Sequence, residues 1–310
     1  MGLIAPSGVV DKKGLSKGVS LLESWGFKAK IGEHVFDQVK DYSAGGEKER
    51  MSDLIAMVED REVGAIGCIV GGYAATGLLK YFTPQVCELL RKKPKIFFGY
   101  SDFSLILNIL FSNGIVSYHA PNVGGLAERS LNTQKSLRLA LLSDGPMEIS
   151  PQSDRKSIVV GQAEGRFLVT NLEALIDLIG TKFDPLVKTN ENLILALEDI
   201  DVSKSVLTRW LHTLAVHTHS QKIKGIVLGR FVKIGEKDYP VWGEETGVEQ
   251  IFLEAFGERG IPIASWPEFG HTEEKNCERV EFWSLPSGIK ALLEVRTDFY
   301  QLKFLEKPLS

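Results

Sequence analysis

Short apolar segments alternate with amphipathic segments through the first half of the chain, and this alternation constrains the fold more than any other feature. The segments at 65–70 and 96–98 have the length and composition of buried parallel strands. The segment at 47–60 spaces its apolar side chains along one face of a helix. Strands and helices in alternation predict a doubly wound parallel sheet, whose ligands bind beyond the carboxyl ends of the strands. We therefore expect a Rossmann-like α/β domain here.

The chain has 310 residues, which is more than a single hydrophobic core usually supports. A polar segment at 150–157 is typical of a linker. We therefore predict two domains, a Rossmann-like domain at 1–150 and a smaller α/β domain at 158–310. The predicted elements of the second domain lie at 171–180, 192–197, 204–216, 223–228, 248–256 and 261–264, and short antiparallel strands follow within 282–304.

Charge and composition exclude several classes of partner. The net charge is −4 and the basic residues are dispersed, so we expect neither a nucleic acid polymer nor a membrane surface as a partner. The three cysteines share no metal-ligand spacing and cannot all pair with one another, which favours free thiols in a reducing compartment. The chain shows no basic region of a secretory signal at its start and no apolar stretch of 18 residues. We predict a cytoplasmic protein.

Ser101 lies where a predicted strand passes into a predicted helix. Gly99 permits a tight backbone before it, and the first N–H groups of the helix point back towards the turn, where negative charge is favoured. A serine hydroxyl there can attack a carbonyl whose oxyanion is held by main-chain donors. The alternative is that Ser101 or Asp102 only caps the helix. Position 103 is Phe, so the second glycine of a Gly-x-Ser-x-Gly motif is missing.

A nucleophilic serine also needs a base and an acid that orients the base. Among six histidines, His271 follows a glycine beyond a predicted strand, a position that can deliver it to a cleft. Glu198 closes an apolar predicted strand, where its carboxylate can reach into a site and orient the base. The alternative is that it acts only as a helix cap or an ion-pair partner. His217 and His219 could chelate a metal as a pair, but no acidic or thiol side chain accompanies them at a recognisable spacing, so no metal site is expected.

An ordered set of motifs extends over nearly the whole chain. Its members are Gly71-Gly72-Tyr73, Gly99-Tyr100-Ser101-Asp102, Leu197-Glu198-Asp199, Ile226-Val227-Leu228-Gly229, Gly270-His271 and Leu285-Pro286-Ser287-Gly288. This set resembles the LD-carboxypeptidase family of serine peptidases, which includes muramoyltetrapeptide carboxypeptidases and microcin C7 self-immunity proteins.

The resemblance implies a catalytic triad of Ser101, Glu198 and His271, with the serine on the first domain and the other two residues on the second. It also implies an oxyanion hole formed by the backbone N–H groups of Gly72 and Asp102. Family members are usually homodimers that use no metal or other cofactor, and their substrates are small peptides or peptide conjugates. We expect the same of this chain.

The sequence departs from the family pattern at three places near the expected site. Val70 stands where the carboxypeptidases usually carry arginine, Val169-Thr170-Asn171 replaces a Gly-Gly-Asn, and an acidic insertion occupies 272–275. These departures leave the triad residue types in place but change their surroundings. Specificity is therefore open at this stage.

Three functions remain open. The first is an LD-carboxypeptidase that releases a terminal D-amino acid from murein peptides. The second is a microcin-immunity-like amidase that cleaves a peptide–nucleotide conjugate, which an aromatic side chain stacked on the base would favour. The third is a ligand-binding relative without catalysis. Candidates for base stacking, each also a candidate for packing, are Trp210, Trp242 and Trp266.

Overall fold

The computed structural model describes residues 1–142, 156–235, 247–273 and 278–308. Three features singled out from the sequence lie wholly or partly outside these residues, namely Trp242, the linker at 150–157 and the insertion at 272–275.

The described residues form strands and helices in alternation. The strands are β1 (Gly2–Ile4), β2 (Lys30–Ile31), β3 (Gln38–Lys40), β4 (Ser43–Ala44), β5 (Ala65–Cys68), β6 (Ile96–Gly99), β7 (Ser117–His119), β8 (Lys156–Val159), β9 (Gly161–Asn171), β10 (Leu193–Ile200), β11 (Ile223–Val232), β12 (Ile263–Ser265), β13 (Leu285–Ser287), β14 (Lys290–Val295) and β15 (Tyr300–Phe304). The helices are α1 (Lys12–Ser24), α2 (Glu47–Glu59), α3 (Pro84–Lys92), α4 (Ser104–Ser112), α5 (Val123–Leu126), α6 (Leu131–Leu142), α7 (Leu172–Ile176), α8 (Pro185–Lys188), α9 (Lys204–Val216) and α10 (Val248–Phe256).

Six strands form the first sheet, in the order β13-β7-β6-β5-β1-β2. The five strands from the first half of the chain are parallel, which confirms the predicted Rossmann-like α/β arrangement. The sixth strand, β13, comes from the second half of the chain and pairs antiparallel with β7, where Leu285 lies opposite His119. The carboxyl ends of β5 and β6 lead to Gly71 and Ser101.

Seven strands form the second sheet, in the order β15-β14-β9-β10-β11-β12-β8. Its centre, from β9 to β12, is parallel. The antiparallel strands β14 and β15 form the short terminal pairing that the sequence predicts. A separate two-stranded ribbon of β3 and β4 completes the strand pairing of the described residues.

Several elements differ in length from their predictions, for local reasons. Strand β11 was expected to close at Gly229 but continues past it to Val232. Gly229 leaves room for the Phe269 ring and does not end the strand, because a Cβ there would lie 2.5 Å from Cε2 of that ring. Strand β10 likewise runs past Glu198 to Ile200. Helix α7 is shorter than the predicted 171–180 because its chain continues in tighter turns, in which Leu178 N–H donates to the Leu175 carbonyl.

Helix α4 positions the serine turn against the second sheet. Eight of its nine residues are buried, which explains its predominantly apolar sequence. The Asn108 amide donates to Oγ1 of Thr170 on β9 at 3.0 Å, and the Ser112 hydroxyl donates to the Phe183 carbonyl at 2.7 Å. Although α4 is strongly apolar, neither it nor any other described helix has the length and hydropathy needed to cross a bilayer.

Candidate active site

Ser101 occupies a strained turn directly after β6. Its φ of +64° is in the left-handed region, which costs a residue with a side chain about 1–3 kcal/mol. A short 3-10 turn at Ser101–Phe103 then leads into α4, and neither Ser101 nor Asp102 caps that helix through its side chain. The helix-cap alternative for these two residues is therefore wrong. Such a strained turn is typical of a nucleophile held out for attack.

Gly71 and Asn122 hold this turn from two sides. A Cβ on Gly71 would lie 2.6 Å from Oγ of Ser101, so only glycine allows the two loops to approach this closely. On the other side, Oδ1 of Asn122 accepts the Tyr100 N–H at 3.1 Å. The orientation of the hydroxyl is thus fixed by packing and by the backbone.

The structure brings Ser101, His271 and Glu198 together from three separate elements. The distance from Nε2 of His271 to Oγ of Ser101 is 3.0 Å, and the distance from its Nδ1 to Oε2 of Glu198 is 2.6 Å. The same carboxylate oxygen accepts the backbone N–H of His271 at 2.9 Å. Gly270, with φ of +94°, makes this approach possible, because a Cβ there would lie 2.5 Å from Cβ of Glu198.

The protonation states follow from burial and charge. Burial alone would raise the pKa of the fully buried Glu198, but the charge and the hydrogen bond of His271, together with the adjacent His119 imidazole, outweigh it and hold that pKa below its usual range. Burial would lower the pKa of His271, but the Glu198 carboxylate outweighs it and raises that pKa. A carboxylate only accepts, so Nδ1 of the neutral imidazole carries the proton and Nε2 is left to accept from Ser101.

The backbone donors expected from Gly72 and Asp102 lie on two loops that are tied together. Gly72 has φ of +140° and borders the same cleft as Ser101. Its loop is fixed to the segment after β1, because Gly8 N–H donates to the Gly71 carbonyl at 2.8 Å. The backbone N–H of Asp102 follows Ser101 directly at the start of the 3-10 turn.

The side chain of Asp102 has a structural role that the sequence did not indicate. Its Oδ2 accepts the Ser7 hydroxyl and, at 2.9 Å, the backbone N–H of Ala75. Oγ of Ser7 in turn accepts the Ala74 N–H at 3.0 Å. Burial raises the pKa of this carboxyl. Asp102 thus connects the serine turn to the loop that carries Gly72.

The cleft beside Ser101 has a volume of about 580 Å³. Its residues come from the loops after β1, β5, β6 and β7 and from the segment between β3 and β4, and they are Gly8, Val9, Asp11, Asp41, Tyr42, Ile69, Val70, Gly71, Gly72, Tyr73, Tyr100, Ser101, Asn122, Gly124, Gly125 and Arg129. A cleft of this size at the carboxyl ends of parallel strands accommodates a short peptide or a comparable small molecule.

Of the three tryptophans considered for base stacking, Trp210 and Trp266 lie among the described residues, and neither lines this cleft. Trp266 is fully buried, and its indole N–H donates to Oε2 of Glu268 at 2.9 Å. Trp210 packs against the hydrophobic core of the second sheet. Both are packing residues. The aromatic side chains that do line the cleft include Tyr42 and Tyr73, which are exposed.

His119 contacts the opposite side of the Glu198 carboxylate. Its Nε2 lies 3.6 Å from Oε1 of Glu198, beyond hydrogen-bond distance, and both side chains are fully buried. Burial lowers the pKa of His119, so its imidazole is neutral. Nothing in the sequence around His119 distinguishes it from a structural or solvated histidine.

Arg230 fixes the loop that carries His271. Its guanidinium donates to four backbone carbonyls, at distances of 2.6 to 2.8 Å, and these belong to Pro267, Gly270, His271 and Glu281. Burial lowers its pKa to about 10, so it stays charged at neutral pH. No local sequence pattern indicates this role, because the four carbonyls lie 37 to 51 residues further along the chain.

The two histidines considered as a metal pair have other partners. Nδ1 of His217 accepts the His219 N–H at 3.0 Å, so its Nε2 carries the proton and pairs with Oδ2 of Asp184 at 3.0 Å. In the part of the chain that the structure describes, no three His, Cys, Asp or Glu side chains are grouped to hold a metal ion.

Comparison with known proteins places this chain in a family. The sequence model of the LD-carboxypeptidase N-terminal domain matches residues 1–120, and that of the C-terminal domain matches residues 164–292. The chain belongs to the LD-carboxypeptidase family. The resemblance carried by the ordered motifs is thereby confirmed, and so is the prediction of a serine-type carboxypeptidase hydrolase.

Relatives of this LD-carboxypeptidase family member align over most of its length. It is 30% identical over 276 residues to a probable murein peptide carboxypeptidase of Bacillus subtilis, covering 87% of this chain and 83% of the relative. It is 26% identical over 305 residues to the murein tetrapeptide carboxypeptidase of Pseudomonas aeruginosa, covering 95% and 92%. The crystal structure of an MccF-like protein from Bacillus anthracis superposes with a TM-score of 0.81 at 25% identity, covering 98% and 96%.

Proposed function

We propose that this protein is an LD-carboxypeptidase that releases the terminal D-amino acid from a murein peptide, with Ser101 as nucleophile, His271 as base and Glu198 as the orienting acid. One observation carries the proposal: a continuous line of contacts, of 2.6 Å and 3.0 Å, runs from the buried carboxylate through the imidazole to a hydroxyl at the edge of a cleft. The names of the murein peptide carboxypeptidases among its relatives support the substrate class.

The reaction proceeds by acyl transfer. Nε2 of His271 takes the Ser101 proton as Oγ attacks the carbonyl carbon of the scissile bond. Glu198 stabilises the imidazolium that forms, and the N–H groups of Gly72 and Asp102 hold the oxyanion. His271 then protonates the leaving amine, the C–N bond breaks, and the terminal D-amino acid departs. A water deprotonated by the same imidazole attacks the ester and regenerates the free hydroxyl.

A second candidate function is amide cleavage in a peptide–nucleotide conjugate, as in the microcin-immunity branch. The observation that favours it is an exposed aromatic side chain in the cleft. Tyr73 is 74% exposed and lies on the wall of the cleft, where it can stack on a base. The fold similarity to an MccF-like protein is compatible with this reading.

The two functions separate when the purified protein is incubated with a murein tetrapeptide and with an aminoacyl sulfamoyl adenosine, and products are followed by mass spectrometry. We expect release of the terminal D-amino acid from the tetrapeptide, and loss of that activity by at least about 10⁴-fold in Ser101→Ala. A matched control is Ser104→Ala, which removes a buried hydroxyl without a partner among the described residues. Cleavage of the adenosine conjugate alone would overturn the proposal in favour of the second function.

The non-catalytic alternative is tested with a fluorophosphonate probe, which labels an activated serine. Labelling of Ser101 is expected, and its absence in a folded protein would favour a ligand-binding role. Assembly into a homodimer and residence in the cytoplasm stay predictions from the sequence.

A further inference from the structure

Arg129 is a buried charge that lines the cleft. Only 9% of the residue is exposed, and its guanidinium donates to two neutral groups, Oγ1 of Thr272 at 2.8 Å and the Tyr100 hydroxyl at 3.1 Å. No carboxylate pairs with it among the described residues, and its flat face lies over the ring of Phe282 at 5.8 Å. Burying a guanidinium without an anion is unfavourable, so the arrangement is complete only when an anion occupies the cleft.

The position of Arg129 relates it to the reacting groups. Tyr100, which fixes one end of the guanidinium, precedes Ser101 in the chain, and its ring lies 4.9 Å from the ring of His271. Thr272, which fixes the other end, follows His271 directly. The cation is thus held by the neighbours of both the nucleophile and the base.

The other described residues that line the cleft offer an anion no second positive charge. Arg129 is the only cationic side chain among the lining residues that the structure describes, and Val70 adds no charge. Two lining residues, Asp11 and Asp41, are acidic and repel a carboxylate. Asp11 is also engaged elsewhere, because it accepts backbone N–H groups at the start of α1.

We propose that Arg129 binds the terminal carboxylate of the substrate, and so makes the enzyme an exopeptidase. This inference rests on the proposed function, in which the residue after the scissile bond carries a free carboxylate. A planar guanidinium binds a carboxylate through two parallel hydrogen bonds. A peptide that ends in an amide, or continues beyond this residue, would bury the guanidinium without an anion and bind poorly for that reason.

The inference is tested with a pair of peptides that are identical except that the terminal D-residue ends in a carboxylate or in a carboxamide. For the wild-type protein, kcat/KM should favour the acid by about 10–150-fold, the range for a hydrogen bond to a charged group. In Arg129→Gln this ratio should fall towards one, and Arg129→Lys, which keeps the charge without the planar fork, should lie between. The matched control is Arg138→Gln, which removes an exposed arginine of α6 and should keep the wild-type ratio.

Binding to Ser101→Ala, measured by calorimetry, separates this inference from the proposed function. Tighter binding of the acid than of the amide, lost when Arg129→Gln is added, supports the subsite whatever the turnover. Equal binding and equal hydrolysis of both peptides by the wild-type protein would overturn the inference while leaving the proposed function standing. Failure to hydrolyse either peptide, with the acid still preferred in binding, would overturn the proposed function and leave the carboxylate subsite.

Discussion

Nε2 of His119 lies 3.6 Å from one oxygen of the Glu198 carboxylate, while the other oxygen accepts from His271. The carboxylate therefore lies between two imidazoles, of which only His271 reaches the serine. Because His119 is neutral, it stabilises the carboxylate through the dipole of its ring and not through a full charge. Its surroundings are aromatic, with Tyr100, Phe269 and Phe282 around it.

Replacing His119 with phenylalanine should lower kcat/KM by about 5–10-fold, as expected for the loss of roughly 1 kcal/mol of stabilisation beside Glu198. The aromatic surroundings accept the new ring, so the fold should survive, which circular dichroism can check. Tyr118→Phe is the matched control on the same strand, because the buried Tyr118 hydroxyl has no hydrogen-bond partner among the described residues. Equal activity of His119→Phe and wild type would show that His119 only fills space.

The pH dependence of the reaction should reflect the pair of His271 and Glu198. Only the deprotonated imidazole can take the serine proton, so kcat/KM should rise with pH along a limb whose midpoint lies above 6.5, because the net effect of burial and the Glu198 charge raises the pKa of His271. In Glu198→Gln the carboxylate charge is gone, and the midpoint should move to lower pH as the rate falls. Rate profiles of both proteins measure this. A midpoint that stays in place in Glu198→Gln would contradict it.

Ser7 should matter although it lies 95 residues from the nucleophile turn it supports. Ser7→Ala leaves the Ala74 N–H without its acceptor and takes one donor from Asp102, so the free energy of unfolding should fall by about 1–3 kcal/mol. Because the loop with Gly72 loosens, kcat should fall by about 10-fold with little change in KM. Denaturant titration and steady-state kinetics measure the two effects. The control is Ser52→Ala, which removes an exposed hydroxyl. Equal losses of stability and of kcat in the two variants would show that the contacts of Ser7 with Asp102 and Ala74 do not support the site.

Asp199 should make stability depend on pH. Burial, and then the charge of Glu198, raises the pKa of Asp199 to about 7 in the folded protein, against an ordinary value of 3.8. Between these values the folded state binds more protons than the unfolded state, so this residue's contribution to stability is full below about pH 4 and is lost as the pH rises to about 7. The loss is on the order of 4 kcal/mol.

Asp199→Asn should therefore flatten the decline in unfolding free energy between about pH 4 and pH 7. The asparagine oxygen can still accept a backbone N–H where the carboxylate accepts from Glu173 at 3.0 Å. Denaturant unfolding at several pH values tests this, with the exposed Asp298→Asn as control. Curves of equal slope for Asp199→Asn and wild type would show that Asp199 is ionised throughout this range.

The sequence predicted features that depend on local patterns. The bounds of α9 and α10 agree with their predictions residue by residue. The apolar residues that face the core recur at helical spacing within each segment, so the local sequence is enough to predict these helices. The residues proposed for the triad came from the ordered motifs and the resemblance they carry, and the structure places them in contact. Their catalytic roles stay proposals.

Other features were missed because they depend on residues far apart in the chain. Arg129 meets Thr272 across 143 residues, and Ser7 meets Asp102 across 95. Neither contact leaves a periodic signal, and a buried arginine looks like any surface arginine until its neighbours are known. The predicted end of β11 at residue 228 was wrong for a similar reason. In the sequence, a glycine that leaves room for a distant ring cannot be distinguished from a glycine that ends a strand.

The pairing of β13 with β7 also has a consequence for how the molecule is made. Residues 285–287 leave the ribosome long after the five parallel strands of the first sheet, so the edge of β7 stays unpaired during most of synthesis. An open edge invites pairing with another chain until β13 covers it. His271 emerges only shortly before β13, so a nascent chain carries the proposed nucleophile without its base. Hydrolytic activity and a closed sheet edge should therefore be acquired almost together, late in translation.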